Sequence, residues 1–173
     1  DEKKAANNHG TWWTAQAAAF ATLIGADGAK KMAWQQFRTQ LVPGEIRPDG
    51  SCPLEEARTR SLSYSSMNLD GFAVLCRLGD RDNAGLWRWK TPKDIGVETA
   101  FQYLLPYVVA PEKWTKQQID KYEQDRVVWP GLAAVSLGAP EYLAGYRKLP
   151  RANTPWVVFV DLLVNAPGAV RQA

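Results

Sequence analysis

TWWTAQAAAFATLIG, residues 11–25, decides the fold class. Trp12, Ala15, Ala19 and Leu23 recur at helical spacing, the stretch is rich in good helix formers, and Gly25 supplies a stop. The next residues repeat the pattern, with Met32, Ala33, Phe37 and Leu41 on one face of 26–41, ending before Pro43 and Gly44. An antiparallel helical hairpin is expected. Turn chemistry in VPGEIRPDGSCP (42–53) leads into residues 54–79, where Glu55 and Glu56 at the start, Arg77 near the end and Gly79 at the stop predict one long helix.

Beyond it, residues 80–94 read as a polar loop around Trp87 and Trp89, followed by a helix over 97–109 and a charged helix over 116–124. Short helical pieces follow at 131–136, 140–146 and 157–163, with VVFVD (157–161) competing as a strand. The expected fold is all-α, one domain over 1–173, and periodicity alone leaves open a bundle or part of an α/α toroid. There is no internal repeat, no Rossmann or P-loop glycine pattern and no low-complexity tract.

Composition narrows the partners. With 46% hydrophobic and 23% charged residues among 173, the chain can build a packed core. The most apolar window, 12–25, is broken by Thr14, Gln16 and Thr22, short of the roughly 18 apolar residues of a membrane span, so no membrane partner is expected. Lys plus Arg exceeds Asp plus Glu by three, a balance that suits a polyanion, but no run of five like charges suggests a nucleic-acid arm. One histidine and two isolated cysteines argue against a metal centre. If 54–79 is one helix, its ends lie roughly 35 Å apart, beyond disulfide reach. Cys52 and Cys76 are then buried free thiols or bridge to a segment outside this chain.

Two stretches stand out by residue type. Asn7-Asn8-His9-Gly10-Thr11-Trp12-Trp13 brings amides, an imidazole and indoles to a helix start, and Arg58-Thr59-Arg60-Ser61-Leu62-Ser63-Tyr64 brings guanidinium groups and a phenol. On a helix Arg60 and Tyr64 share a face, while Arg58 sits about 120° away unless the first turn is irregular. A cation beside a phenol favours the phenolate, a base for proton abstraction. The bland reading is an asparagine cap with a surface histidine, and a solvated Arg/Tyr face. From the residues alone, the pair is an acid/base site for an anionic ligand or no site at all.

At these stretches the sequence resembles the alginate lyase family of polysaccharide lyases. The resemblance rests on Asn8 to Trp13 with Gln16, on Asp49-Gly50, Pro53 to Glu55, Ala57 to Ser61, Tyr64-Ser65 and Asn68-Leu69, and on Leu86-Trp87 and Ala100 to Tyr107. It covers residues 7–125. It implies an incomplete α/α toroid with an open cleft, and β-elimination on a β-1,4-linked polyuronate, alginate or glucuronan, without cofactor or metal. It further implies that Asn8 and an arginine neutralise the C6 carboxylate, that Tyr64 protonates the leaving oxygen, and that His9 is the base or keeps Tyr64 deprotonated. Trp12, Trp13, Gln16 and Trp87 would contact sugar, and the enzyme would be secreted or periplasmic.

Two departures qualify the transfer. In some branches the arginine lies seven residues before the tyrosine, but position 57 is alanine, so Arg58 and Arg60 compete. Family members also carry a longer N-terminal part that builds one cleft wall, so a bare apolar face at Trp12, Phe20 and Leu23 is expected. That face would be covered by a separate N-terminal polypeptide or by self-association, with Cys52 or Cys76 able to bridge to it. Two rival readings are a non-catalytic module that binds acidic glycans and an inverting hydrolase, although Glu55 and Glu56 are adjacent and diverge on a helix.

Overall fold

The computed structural model describes residues 2–169. Nine α-helices follow among them: α1 (Asn8–Leu23), α2 (Asp27–Gln36), α3 (Val42–Glu45), α4 (Pro53–Glu56), α5 (Ser61–Asp80), α6 (Val97–Val109), α7 (Trp129–Leu137), α8 (Pro140–Lys148) and α9 (Pro155–Asn165). No strand is present among the described residues, and VVFVD lies in α9, whose first turn Thr154 caps by accepting from the Val157 N–H. The architecture is all-α, successive hairpins of an incomplete toroid. No described helix is long and apolar enough to cross a membrane.

Helix α5 is the hub, packing on α1, α6 and α7, while α7 packs on α8 and α9. At the α1–α5 crossing the backbone needs a glycine. A β-carbon at Gly71 would sit 2.9 Å from Thr11 Cγ2 and 3.2 Å from the Trp12 indole. Further along, the Phe101 and Trp129 rings stack at 4.9 Å and Tyr142 meets both edge-on, so α6, α7 and α8 share one aromatic core. Asp70 of α5 accepts from the Val128 and Trp129 N–H groups at 3.1 and 2.8 Å, satisfying donors at the start of α7. Burial pushes this carboxyl up to about 7 against the lowering effect of those two bonds.

Three expectations need correction. The helix over 54–79 is broken. Residues 57–60 leave the helix because a distant segment claims their backbone. Ser61 N–H donates to the Gln117 carbonyl and Ile119 N–H to the Thr59 carbonyl, both at 3.0 Å. The Gln118 side chain accepts from the Leu62 and Ser63 N–H groups, capping α5. The same contacts explain the second correction, since residues 116–124 form no α-helix and end in a 3₁₀ turn at Gln124–Arg126. Lys116 fastens this segment to Glu56 and to the Tyr103 hydroxyl, both at 2.7 Å.

The third correction lies at Pro43, where the second helix does not stop. A π-turn at Phe37–Leu41 leads into α3, with proline in its first turn, where its missing N–H costs nothing. This widened path carries Glu45 inward, where it accepts from the Thr11 hydroxyl at 3.0 Å and from Asn68 Nδ2 at 2.8 Å. Cys52 and Cys76 are free and buried, so neither is placed to bridge to a partner surface. Burial pushes both thiols well above their ordinary value.

Glu45 makes stability pH-dependent. Burial, only partly offset by the Asn68 and Thr11 bonds, pushes it from 4.5 up to about 8. The folded chain holds this proton where the unfolded chain has released it, so stability falls as pH rises through that window, by up to about 1.4 kcal/mol per unit. Asp70 adds a fall of the same sign up to about 7. Glu45→Gln is expected to flatten the slope of unfolding free energy between pH 5 and 8, leaving the part due to Asp70. Denaturant melts across that range check it, and an unchanged slope refutes it.

Candidate active site

The first motif forms the start of α1. Asn7 is the cap, its side chain accepting from His9 N–H at 3.1 Å. The Asn8 N–H is satisfied from 47 residues away, by Glu55 Oε1 at 2.6 Å. Asn8 is buried and its Oδ1 has no protein partner among the described residues. The His9 side chain is 48% exposed and its Nδ1 lies 3.1 Å from Glu2 Oε1. That contact is an ion pair only when the imidazole is protonated.

The second motif straddles the break before α5, and this changes the ranking of the arginines. Arg60 sits at the helix cap, where its Nε is 2.9 Å from Asp120 Oδ2, close enough for an ion pair but poorly aligned for a hydrogen bond. Arg58, in the irregular turn, lies with its guanidinium carbon 4.0 Å from the Tyr64 ring centroid. Among the described residues no carboxylate pairs with Arg58. The sequence reading placed Arg60 closer to Tyr64 by helical arithmetic. The broken helix puts Arg58 on the phenol and ties Arg60 to an acid.

Tyr64 also lines an open groove of about 390 Å³ with Arg60, Met67, Asp70, Tyr122 and Arg126. Asn8 and His9 are not in that lining. They reach the tyrosine through Glu55, whose charge is felt by both His9 and Arg58. Burial raises the Glu55 carboxyl above the ordinary range, against the Asn8 N–H bond, Arg58 and His9, which lower it. Its neighbour Glu56 turns away to Lys116 at 2.7 Å. The two carboxylates therefore serve different elements.

The expected sugar contacts divide. Trp12 is half-buried, packed on α5 with its Nε1–H donating to the Met67 carbonyl at 3.0 Å. Trp13 is 37% exposed and lines a second groove of about 290 Å³ with Lys3 and Met32, between α1 and α2. Gln16 is exposed on α1. Trp87 is a correction, because it is 5% exposed, tilted against Phe101, with its Nε1–H donating to Asp80 Oδ2 at 3.2 Å. It offers no free face for stacking on a sugar. Tyr122 and Arg126, which line the groove with Tyr64, were missed, since a charged helix over 116–124 gave no reason to place that segment or the residues after it beside α5. Among the described residues no group of three His, Cys, Asp or Glu is gathered to hold a metal ion.

The all-α hairpin fold has a counterpart among known proteins. A family model described as alginate lyase matches residues 1–114, and the chain belongs to the alginate lyase family. Among solved structures, an alginate lyase from Bacteroides ovatus superposes with a TM-score of 0.82 at 26% identity, covering 95% of this chain and 44% of that one. The chain thus spans less than half the length of that relative. No curated protein matches it.

Trp87 gives a prediction specific to its placement. Trp87→Ala is expected to cost about 3–5 kcal/mol of stability, as for a buried aromatic. Denaturant unfolding reads it, and a loss under 1 kcal/mol would return the indole to the surface.

Proposed function

We propose that this chain carries the catalytic half of a polysaccharide lyase that cleaves a β-1,4-linked polyuronate by β-elimination. The observation that carries the reading is Arg58, a cation with no ion-paired carboxylate among the described residues, held over the ring of Tyr64, which lines the groove. A uronate C6 carboxylate set against Arg58 and the Asn8 amide loses its negative field, and H5 becomes acidic. A base takes H5, the C5–H electrons form the C4=C5 double bond, and the C4–O4 bond breaks. Tyr64 protonates the departing O4, and no water is consumed. His9 takes H5 or keeps Tyr64 deprotonated to take it.

Alginate and glucuronan fit this chemistry equally. β-D-mannuronate and β-D-glucuronate differ at C2, which leaves H5 and O4 in the same relation. A polymer of this size is met outside the cytoplasm, so the reading carries a secreted or periplasmic location.

The assay is absorbance of the new C4=C5 bond on each polymer, with this chain inside its full-length protein. Tyr64→Phe is expected to abolish turnover and keep binding. Arg58→Ala is expected to lower kcat/KM by about 10²–10³-fold, the scale of one lost electrostatic contact, and Arg60→Ala by less than tenfold. Silence on every polyuronate rejects the lyase reading. Binding without turnover in the unsubstituted protein favours instead a module that holds acidic glycans.

The partner proposal concerns α1 and α2. Phe20, Leu23, Ile24 and Met32 are 64, 81, 75 and 61% exposed, an apolar face at one end of the hairpin. Trp12 does not belong to it, being packed on α5. The reading supplies cover from N-terminal toroid helices, as a separate polypeptide, or from a second copy. Native mass measurement of the isolated chain is expected above 19.3 kDa. A clean monomer with α1 ordered rejects a needed partner.

A further inference from the structure

We propose that Glu55 is a positioning residue of this site, fixing Asn8 and His9 at the start of α1 against Arg58 and Tyr64 on the second motif. The inference rests on the lyase reading for its kinetic consequences but not for its geometry. Helix α1 already has a local cap in Asn7, which satisfies the His9 N–H. The Asn8 N–H is instead met by a carboxylate brought from α4, only 1% exposed. A buried carboxylate is a costly way to satisfy one amide that water could serve at a helix start.

Its place in the chain explains the cost. Glu55 and Arg58 belong to one turn, closed by the Arg58 N–H donating to the Glu55 carbonyl at 3.1 Å. Whatever fixes Glu55 also fixes Arg58, whose guanidinium lies on Tyr64. The sequence Asn8, Glu55, Arg58, Tyr64 is therefore one continuous mechanical link between two motifs about fifty residues apart. Glu55 Oε2 has no hydrogen-bond partner among the described residues, so there it carries no competing structural bond.

The charged and titratable groups facing this link are few. Glu2 lies on the outer side of His9, Glu45 and the Cys52 thiol feel Glu55 from α3 and the start of α4, and Arg60 is turned to Asp120. Arg58 and His9 are the basic groups that act on Glu55. A neutral isostere at position 55 keeps an oxygen for the Asn8 N–H and removes the charge from both.

The test compares Glu55→Gln with Glu55→Asp in the full-length protein. Glu55→Gln is expected to melt within a few degrees of the parent, keep KM within about threefold, and lose kcat by about 10- to 100-fold, the scale of a slightly misplaced reacting group. The split between a lost kcat and a kept KM is what a merely structural role would not produce. Parent-like kcat in Glu55→Gln overturns the proposal. If Glu55→Gln does not fold, Glu55→Asp carries the test. With the oxygen drawn back on a shorter arm, it must lose kcat at near-parent KM, and parent-like kcat overturns the proposal.

A second reading needs no turnover. His9 is the one histidine of the chain, so its ring resonances are identified by composition. At one fixed pH they are expected to shift on Glu55→Gln, or on Glu55→Asp if that is the folded variant. Unchanged ring resonances overturn the link between Glu55 and His9. Polymer silence with shifted resonances removes the lyase reading and leaves the positioning role standing.

Discussion

The crossing of α1 over α5 at Gly71 is the constraint on which the rest depends. Because no β-carbon intervenes, Thr11 and Trp12 approach the α5 backbone closely. The first turn of α1 is thereby brought beside the segment that precedes α5. Thr11 reaches Glu45, Asn8 reaches Glu55, and Trp12 reaches the Met67 carbonyl. These contacts join α1, α3, α4 and α5 into one polar layer beside the candidate site. A larger residue at 71 would separate the helices by the width of a methyl group, and every contact in that layer is shorter than such a gap could tolerate.

The second constraint is the strand-like crossing of residues 117–119 over the entrance to α5. Its hydrogen bonds break the helix before Ser61 and hold Arg58 in a turn where its guanidinium lies over the Tyr64 ring. It also supplies Asp120, which takes Arg60 out of competition. The division of labour between two arginines that look equivalent in the sequence comes from this one segment. It costs little, because the N–H groups of a helix start need acceptors from somewhere.

Much of the fold was legible because helical periodicity is a local signal. Residues 97–109 read as a helix and are one, and the hairpin of α1 and α2 shows in the spacing of Trp12, Ala15, Ala19 and Leu23. What was not legible is non-local. Nothing near Arg58 announces that Gln117 will take the backbone beside it. Nothing near Pro43 shows that a π-turn will carry Glu45 inward. The candidate site was legible as residue types at two places, Asn8-His9 and Arg58 to Tyr64. The residue that joins them, Glu55, looked like an ordinary acidic helix start. Trp87 misled for the converse reason, since an indole beside polar loop residues looks exposed until Phe101 is seen packing against it.

The buried acids also bear on the charge of the groove. Glu45 lies in the polar layer, held by Thr11 and Asn68, and Asp70 lines the groove itself. Burial pushes them up to about 8 and about 7, so near neutral pH Glu45 is largely uncharged and Asp70 about half so. The outward groups of the lining are of both signs. Arg126 meets Glu123 only at 3.4 Å, in an exposed pair worth little in water. The lining thus carries two acids, Asp70 and Glu123, and two cations, Arg60 and Arg126, and the charge balance between them turns on the one acid that is buried. The burial that lets Asp70 hold the start of α7 also keeps it partly protonated near neutral pH, so the hydrogen bonds that organise this wall and the charge it presents to the groove are set by the same residue.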